Sequence, residues 1–196
     1  MKYIYCAIII FICLKYVFSC YKGQVAIVHK ESGIKYYVNN FQSDESKLKK
    51  VALLHELRLR LNKLLNILEN DKKHKQHKGI QRLISKHRNQ FIQLDELSPT
   101  IDFDRVFAFN LNKGERISIC LSKENEINEL FFVLLHEISH SMTVEYSHNK
   151  EFWSNFAYII EVAASNNLYT NVDYRQNPKK FCNYSVNHNP YFDGQL

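Results

Sequence analysis

Two histidines four residues apart, with a glutamate directly after the first, mark the run His136-Glu137-Ile138-Ser139-His140. On a helix, residues four apart lie about 40° from one another and one turn up, so both imidazoles project from one face. Their ring nitrogens can then reach a single Zn²⁺ at about 2.0–2.1 Å without distorting the backbone. Glu137 is rotated roughly 100° from His136, near enough to meet a water at the metal and poorly placed to be a ligand. Such a water has its pKa lowered to about 7, and a carboxylate beside it can take the proton as the water attacks a carbonyl. The bland alternative is two core histidines and a glutamate tied into hydrogen bonds. It fits poorly with a motif that follows directly on the apolar run Leu130-Phe131-Phe132-Val133-Leu134-Leu135, where charged groups are otherwise unwelcome.

A catalytic zinc site takes three protein ligands and keeps one position open. On the residues alone, two candidates compete for the third place. His148 lies eight residues after His140, just ahead of a predicted helix that starts near Asn149. Glu161, on that helix, lies 21 residues after His140, close to the spacing at which glutamate-type zinc peptidases supply a carboxylate. The remaining histidines are weaker candidates. His55-Glu56 has no second histidine one turn on, because that position is Leu59. His74, His77 and His87 fall in the polar, basic stretch Asp71 to Arg88, which reads as a solvated linker and a short helix.

Around these residues the pattern predicts an α+β domain. Gln24 to Val38 reads as a hairpin about a polar turn containing Gly33. Asp44 to Asn70 reads as a long amphipathic helix capped by Ser43 or Asp44, with Leu48, Val51, Leu54, Leu57, Leu61, Leu64, Leu65 and Leu68 on its apolar face. Arg105 to Phe109 and Glu115 to Leu121 alternate as strands about the turn Asn112-Lys113-Gly114. Ser122 is placed to cap the helix that carries the motif, and that helix, apolar nearly all round, should be central. A small, mostly antiparallel sheet packed on the motif helix and the 44–70 helix is expected. A helix over 149–166 closes the far side, and the tail from Asn167 to Leu196 wraps the domain.

The chain has 196 residues, room for one compact domain and a short appendage. With 45% hydrophobic and 23% charged residues it is not a disordered polypeptide. A formal charge of +6 suits an anionic surface, phospholipid or nucleic acid, without choosing between them. Tyr3 to Cys20 is a nearly unbroken apolar run, long enough to cross a hydrocarbon core of roughly 30 Å. It is read as an uncleaved anchor, with a cleaved signal peptide and a buried helix as competing readings. Residues 1–21 are thus the anchor or signal segment and 22–196 the catalytic domain, its metal core at about 98–185. Lys15, Lys22 and Lys30 at or beyond the far end of the run place the domain on the cytosolic side by the positive-inside rule. Of five cysteines, three lie in that run, and the distant pair Cys120 and Cys182 implies a reducing compartment rather than a disulfide framework.

His136 to Phe156 (HEISHSMTVEYSHNKEFWSNF) resembles the WLM and SprT-like metallopeptidases. Their pattern is two motif histidines, a turn, then a histidine followed by an aromatic about four residues on, here His148 with Phe152-Trp153. The likeness is closest to WLM-type proteins of large DNA viruses. It extends back through Asn112-Lys113-Gly114-Glu115-Arg116 and forward through Val172-Asp173-Tyr174-Arg175 to Cys182, while the first hundred residues are not diagnostic. The commoner family pattern has five residues, one of them Gly, between the second and third histidines; this chain has seven and no Gly. The resemblance selects His148 over Glu161 as third ligand. It implies one Zn²⁺, a protein or peptide substrate, and amide hydrolysis with Glu137 as general base. The strand Glu115 to Leu121 is expected to be the edge along which an extended substrate pairs. Rival readings are a non-catalytic zinc module, a DNA-associated protease of the crosslink-repair type drawing on the basic stretch Lys72 to Arg88, and a membrane-bound scaffold without metal.

Overall fold

The computed structural model describes residues 23–98, 106–122 and 125–193. Strands β1 (Gln24–Val28) and β2 (Lys35–Asn39) form the expected antiparallel hairpin. Gly33, at φ +69°, lets its own N–H and that of His29 close the turn. Helix α1 (Asp44–Asn70) begins where Ser43 Oγ accepts a bond from Ser46 N at 3.2 Å. Leu54, Leu57, Leu61, Leu64, Leu65 and Leu68 are buried as the periodicity predicts, whereas Leu48, one turn from the N-terminus, is 53% exposed.

The stretch that reads as a solvated linker and a short helix is more ordered than its composition implies. It forms α2 (Lys72–Lys75) and α3 (Lys78–Asn89). Ile80, Leu83 and Ile84 are the only large apolar side chains in α3, but they fall on one face and are buried. After α3 comes a strand that sequence reasoning missed, β3 (Gln93–Glu96). It pairs in parallel with β5 (Arg116–Ile119), which pairs on its other side with antiparallel β4 (Ala108–Leu111), giving the order β3-β5-β4. The sheet is therefore mixed, not antiparallel throughout. Its acidic residues disguise β3: Asp95 Oδ1 accepts from Tyr37 N at 3.0 Å and Glu96 Oε2 from Asn39 N at 2.7 Å. Arg116 Nε meets Asp95 at 2.6 Å, and Lys50 pairs with Glu96. Buried carboxylates thus join the first hairpin to the sheet where a backbone ladder would otherwise do so.

Helix α4 (Ile127–Met142) carries the motif. It starts later than expected, because Ser122 donates to Asn125 Oδ1 at 2.7 Å and caps nothing. Leu130 to Leu135, Ile138 and Met142 are all buried, and α4 is contacted by α1, α3, β4, β5 and α5 (Lys150–Ser165). The tail wraps the domain as anticipated, forming the hairpin β6 (Lys179–Phe181) and β7 (Tyr184–Val186) and then α6 (Pro190–Asp193).

Two expectations are overturned. Cys120, just past β5, and Cys182, in the tail hairpin, form a disulfide. A bond of this kind persists under oxidising conditions, so the reducing, cytosolic setting inferred from the cysteines is corrected. The expected anchor, residues 3–20, lies outside the described residues. Among the described residues no helix is long and apolar enough to cross a membrane; α1 has the length but carries charges from Lys47 to Glu69 on its exposed face. The assignment as a single-pass membrane protein is corrected accordingly.

The disulfide closes a loop across a sequence separation of 62 residues. Chain entropy assigns such a link about 4 kcal/mol of stabilisation. Urea unfolding with and without reductant should show a loss of that order, and the double variant Cys120→Ser/Cys182→Ser should be insensitive to reductant. Equal midpoints for the wild type in both conditions would contradict the pairing.

Candidate metal centre

Helix geometry puts His136 and His140 side by side on α4, ring centroids 5.2 Å apart. The chain then leaves the helix and returns through an exposed loop, and His148 enters with its ring 5.0 Å from His136 and 4.8 Å from His140. One ligand-capable nitrogen from each ring lies within 4.8 Å of the others, and the Nε2 atoms of His136 and His148 are 3.1 Å apart. Two nitrogens bound tetrahedrally at 2.0–2.1 Å would be separated by about 3.3 Å. The spacing therefore suits a shared ion.

Helix α5 supplies the wall that orients these rings. Asn149 Oδ1 accepts from Phe152 N at 3.0 Å, placing the cap of α5 one residue after His148. Phe152 then sits among all three imidazoles, at 4.9, 4.5 and 4.5 Å from His136, His140 and His148. Phe156 packs on His136 and Trp153 on His148. Glu161 is not part of the group. It lies nine residues beyond Phe152, on the opposite side of the helix, exposed and beside Tyr158.

Three of the histidines that sequence reasoning set aside, His55, His74 and His77, are occupied elsewhere. His55 stacks on His29 at 3.8 Å and bonds to Tyr36. His74 bonds Tyr158 Oη at 2.7 Å, and His77 stacks on the same tyrosine while capping α3.

Burial sets the protonation of the centre. His136 is pushed down to about 3 and His140 to about 4 by desolvation, reinforced by the neighbouring histidines. His148 is lowered too, by burial and then by His188. All three therefore present lone pairs at neutral pH, as metal ligands must. Glu137, 4% exposed, is pushed up to about 8 by burial. These groups line a cleft of about 360 Å³ with Val106 to Asn110, Lys113 and Tyr146.

Asn110 and Lys113 carried no signal as site residues. Asn110 Nδ2 donates to Glu137 O and to Ser141 Oγ, and its Oδ1 accepts from Gly114 N, so β4 and the turn after it are pinned to the motif helix. Gly114, at φ +112°, approaches so closely that a Cβ there would stand 3.1 Å from Ser141 Oγ.

Residues 62–178, well over half of the chain, match the WLM domain family. The match begins within α1, earlier than the motif-bearing segment suggests, so α2 and α3 belong to the shared unit. An uncharacterised protein of Acanthamoeba polyphaga mimivirus is 30% identical over 80 residues, which cover 38% of this chain and 41% of that protein. The chain thus spans well under half the length of that relative. No solved structure matches.

The titrations predict how the metal-free protein responds to pH. His136 and His140 stay neutral in the fold far below their ordinary 6.5, while the unfolded chain takes up both protons. Stability therefore falls as pH drops from 6.5 toward 4, by up to about 1.4 kcal/mol per pH unit for each proton. Glu137 acts oppositely: the fold keeps its proton up to about pH 8, the unfolded chain only to about 4.5. Its contribution falls as pH rises between those values. The two histidines outnumber it below 6.5, so stability of chelator-treated protein should peak near pH 6.5. Denaturation midpoints from pH 4 to 9 measure this, and Glu137→Gln should flatten the 6.5–8 limb and steepen the fall below 6.5, where Glu137 otherwise offsets part of the histidine effect. A wild-type limb that rises toward pH 8 would contradict a buried, protonated Glu137.

Proposed function

Since the chain belongs to the WLM domain family, we propose that it is a zinc metallopeptidase in which His136, His140 and His148 hold one Zn²⁺ and Glu137 is the general base. The observation that carries this reading is the convergence of three neutral imidazoles beside a buried carboxylate at the floor of a cleft. Two histidines on one helix and a third from beyond it is the zincin-type arrangement that the resemblance implies. Three protein ligands, rather than four, suit an open catalytic site better than a closed structural one.

Bound there, zinc would polarise a carbonyl and acidify water. The chain's own residues do the rest. Glu137 takes the proton of the attacking water on its carboxylate and passes it to the leaving amine nitrogen. An acid whose pKa lies near 8 without the ion is pulled down by a neighbouring dication, toward the range in which it can both accept and release a proton. Phe152 and Phe156 keep the three rings aimed and exclude water from behind them.

The expected substrate strand is revised. Glu115 to Leu121 contains β5, which has neighbours on both sides, whereas β4 ends the sheet among the described residues. β4 also lines the cleft through Ala108, Phe109 and Asn110. An extended peptide would pair along β4, its scissile bond over the imidazoles.

The DNA-associated version of this activity draws on the basic stretch Lys72 to Arg88. Three of its cations are engaged within the protein: Arg82 with Met142 O and Glu151, Lys86 with the 112–113 carbonyls, and Arg88 with Glu69. That lowers the charge available to phosphates, and the peptide-hydrolase reading does not need it.

Wild-type protein should bind about one zinc per chain and degrade an unfolded substrate such as casein. Glu137→Gln should keep the zinc and lose about 10²–10⁴-fold in hydrolysis; cleavage at wild-type rate by that variant would end the proposal for Glu137. Metal analysis of His148→Ala and Glu161→Ala separates the ligand candidates, since zinc lost only from the Glu161 variant would displace His148.

A further inference from the structure

The seven residues between His140 and His148 must bring the third imidazole back to the helix it has just left, without a glycine to make the turn. The loop is exposed, with Val144 at 63% and Tyr146 at 72%. Helix α4 ends on Thr143 in an extended conformation, φ −100° and ψ 143°, so the carbonyls that follow get no left-handed cap.

Lys113 takes that role from another part of the chain. Its Nζ donates to Thr143 O at 2.7 Å, to Val144 O, and to Glu145 O at 3.3 Å, and it stands 4.4 Å from the centre of the Tyr146 ring. An ammonium group has three protons, and here one loop takes them all. The positive charge also sits at the negative end of the α4 dipole, where a cation is favoured.

Lys113 is itself held in place. It lies in the β4–β5 turn at φ 55°, a left-handed conformation that a lysine rarely adopts, after Asn112 at φ 49°. Lys86 of α3 donates to the carbonyls of both residues, at 2.6 and 3.1 Å. A second tie reaches the loop from α3: Arg82 Nε donates to Met142 O at 2.7 Å, and its Nη2 pairs with Glu151, whose Oε2 accepts from Val144 N at 3.2 Å.

Resting on the metallopeptidase reading above, we propose that Lys113, seconded by Arg82, is a positioning residue that sets His148 as third ligand. Two cations from outside the motif replace the glycine-made turn that this chain lacks. The basic residues of α3 and of the 112–114 turn thus support the metal centre through the loop, Lys113 from the wall of the cleft it helps to line.

The test uses the full chain with Lys113→Met, which keeps the stem and removes the donors, and Lys113→Arg, which restores donors and charge. Zinc affinity is measured by competition with a chromophoric chelator. Amide hydrogen exchange is followed over residues 143–148 in chelator-treated protein. Lys113→Met should weaken zinc about 10–100-fold and speed exchange in that loop, with α1 and β5 unchanged; Lys113→Arg should recover much of both. Wild-type zinc affinity and loop exchange in Lys113→Met would overturn the inference. If Lys113→Met does not fold, Arg82→Met carries the same test: a smaller loss of zinc affinity supports the brace, and none overturns it. A wild-type protein that binds no zinc would instead remove the metallopeptidase reading, and loop exchange would then judge the brace by itself.

Discussion

Three imidazoles can be kept within one coordination sphere only if the helix bearing two of them can neither rotate nor slide, and here burial of α4 on every side imposes that constraint. Eight large apolar side chains, Leu130 to Leu135, Ile138 and Met142, are packed against the sheet, α1, α3 and α5. Each contributes roughly 1.5–3 kcal/mol. Against this stands Glu137, whose shift from 4.5 to about 8 corresponds to roughly 5 kcal/mol against its ionised form. The apolar term is clearly the larger. A helix this well buried can carry an unfavourable carboxylate into the cleft floor, and a less buried one would turn it out to solvent.

The same constraint explains which parts of the molecule sequence reasoning recovers. Periodicity reports burial, so α1, α4 and α5, whose apolar faces meet the core, were legible, α1 with a cap at Ser43 or Asp44 and α5 with a start near Asn149. The first hairpin was legible from its turn. The motif histidines follow from helical spacing alone, because a four-residue interval has one geometric meaning on a helix. The third histidine does not: His148 and Glu161 were separated by resemblance, and their separation in space depends on the direction in which α5 runs.

What stayed illegible is structure held by polar groups over long separations. β3 hides because Asp95 and Glu96 look like loop residues until Arg116, Lys50 and the β2 amides are brought to them. The pairing of Cys120 with Cys182 depends on the tail folding back across the end of β5, which no local pattern encodes. The docking of α3 stayed hidden because a short helix in so basic a stretch reads as solvated, although Ile80, Leu83 and Ile84 suffice to dock it.

These polar ties have a common direction. Asn110 and Gly114 fasten the β4–β5 turn to α4 at Glu137 and Ser141, and Lys113 from the same turn reaches past the helix end to the loop before His148. Arg82 and Lys86 close the circuit from α3. The tail adds a further support: Phe107, which lines the cleft, packs on Phe181 and Tyr184 of the disulfide-linked hairpin, and its carbonyl accepts from Cys120 N at 2.8 Å. The apolar core therefore fixes two imidazoles and the carboxylate, while hydrogen bonds from the β4–β5 turn, α3 and Cys120 fix the third imidazole and the strand beside the cleft. Burial is insensitive to small displacements and hydrogen bonds are not. In this fold the directional bonds accordingly converge on the loop and edge strand, where a shift of a fraction of an ångström would open the centre.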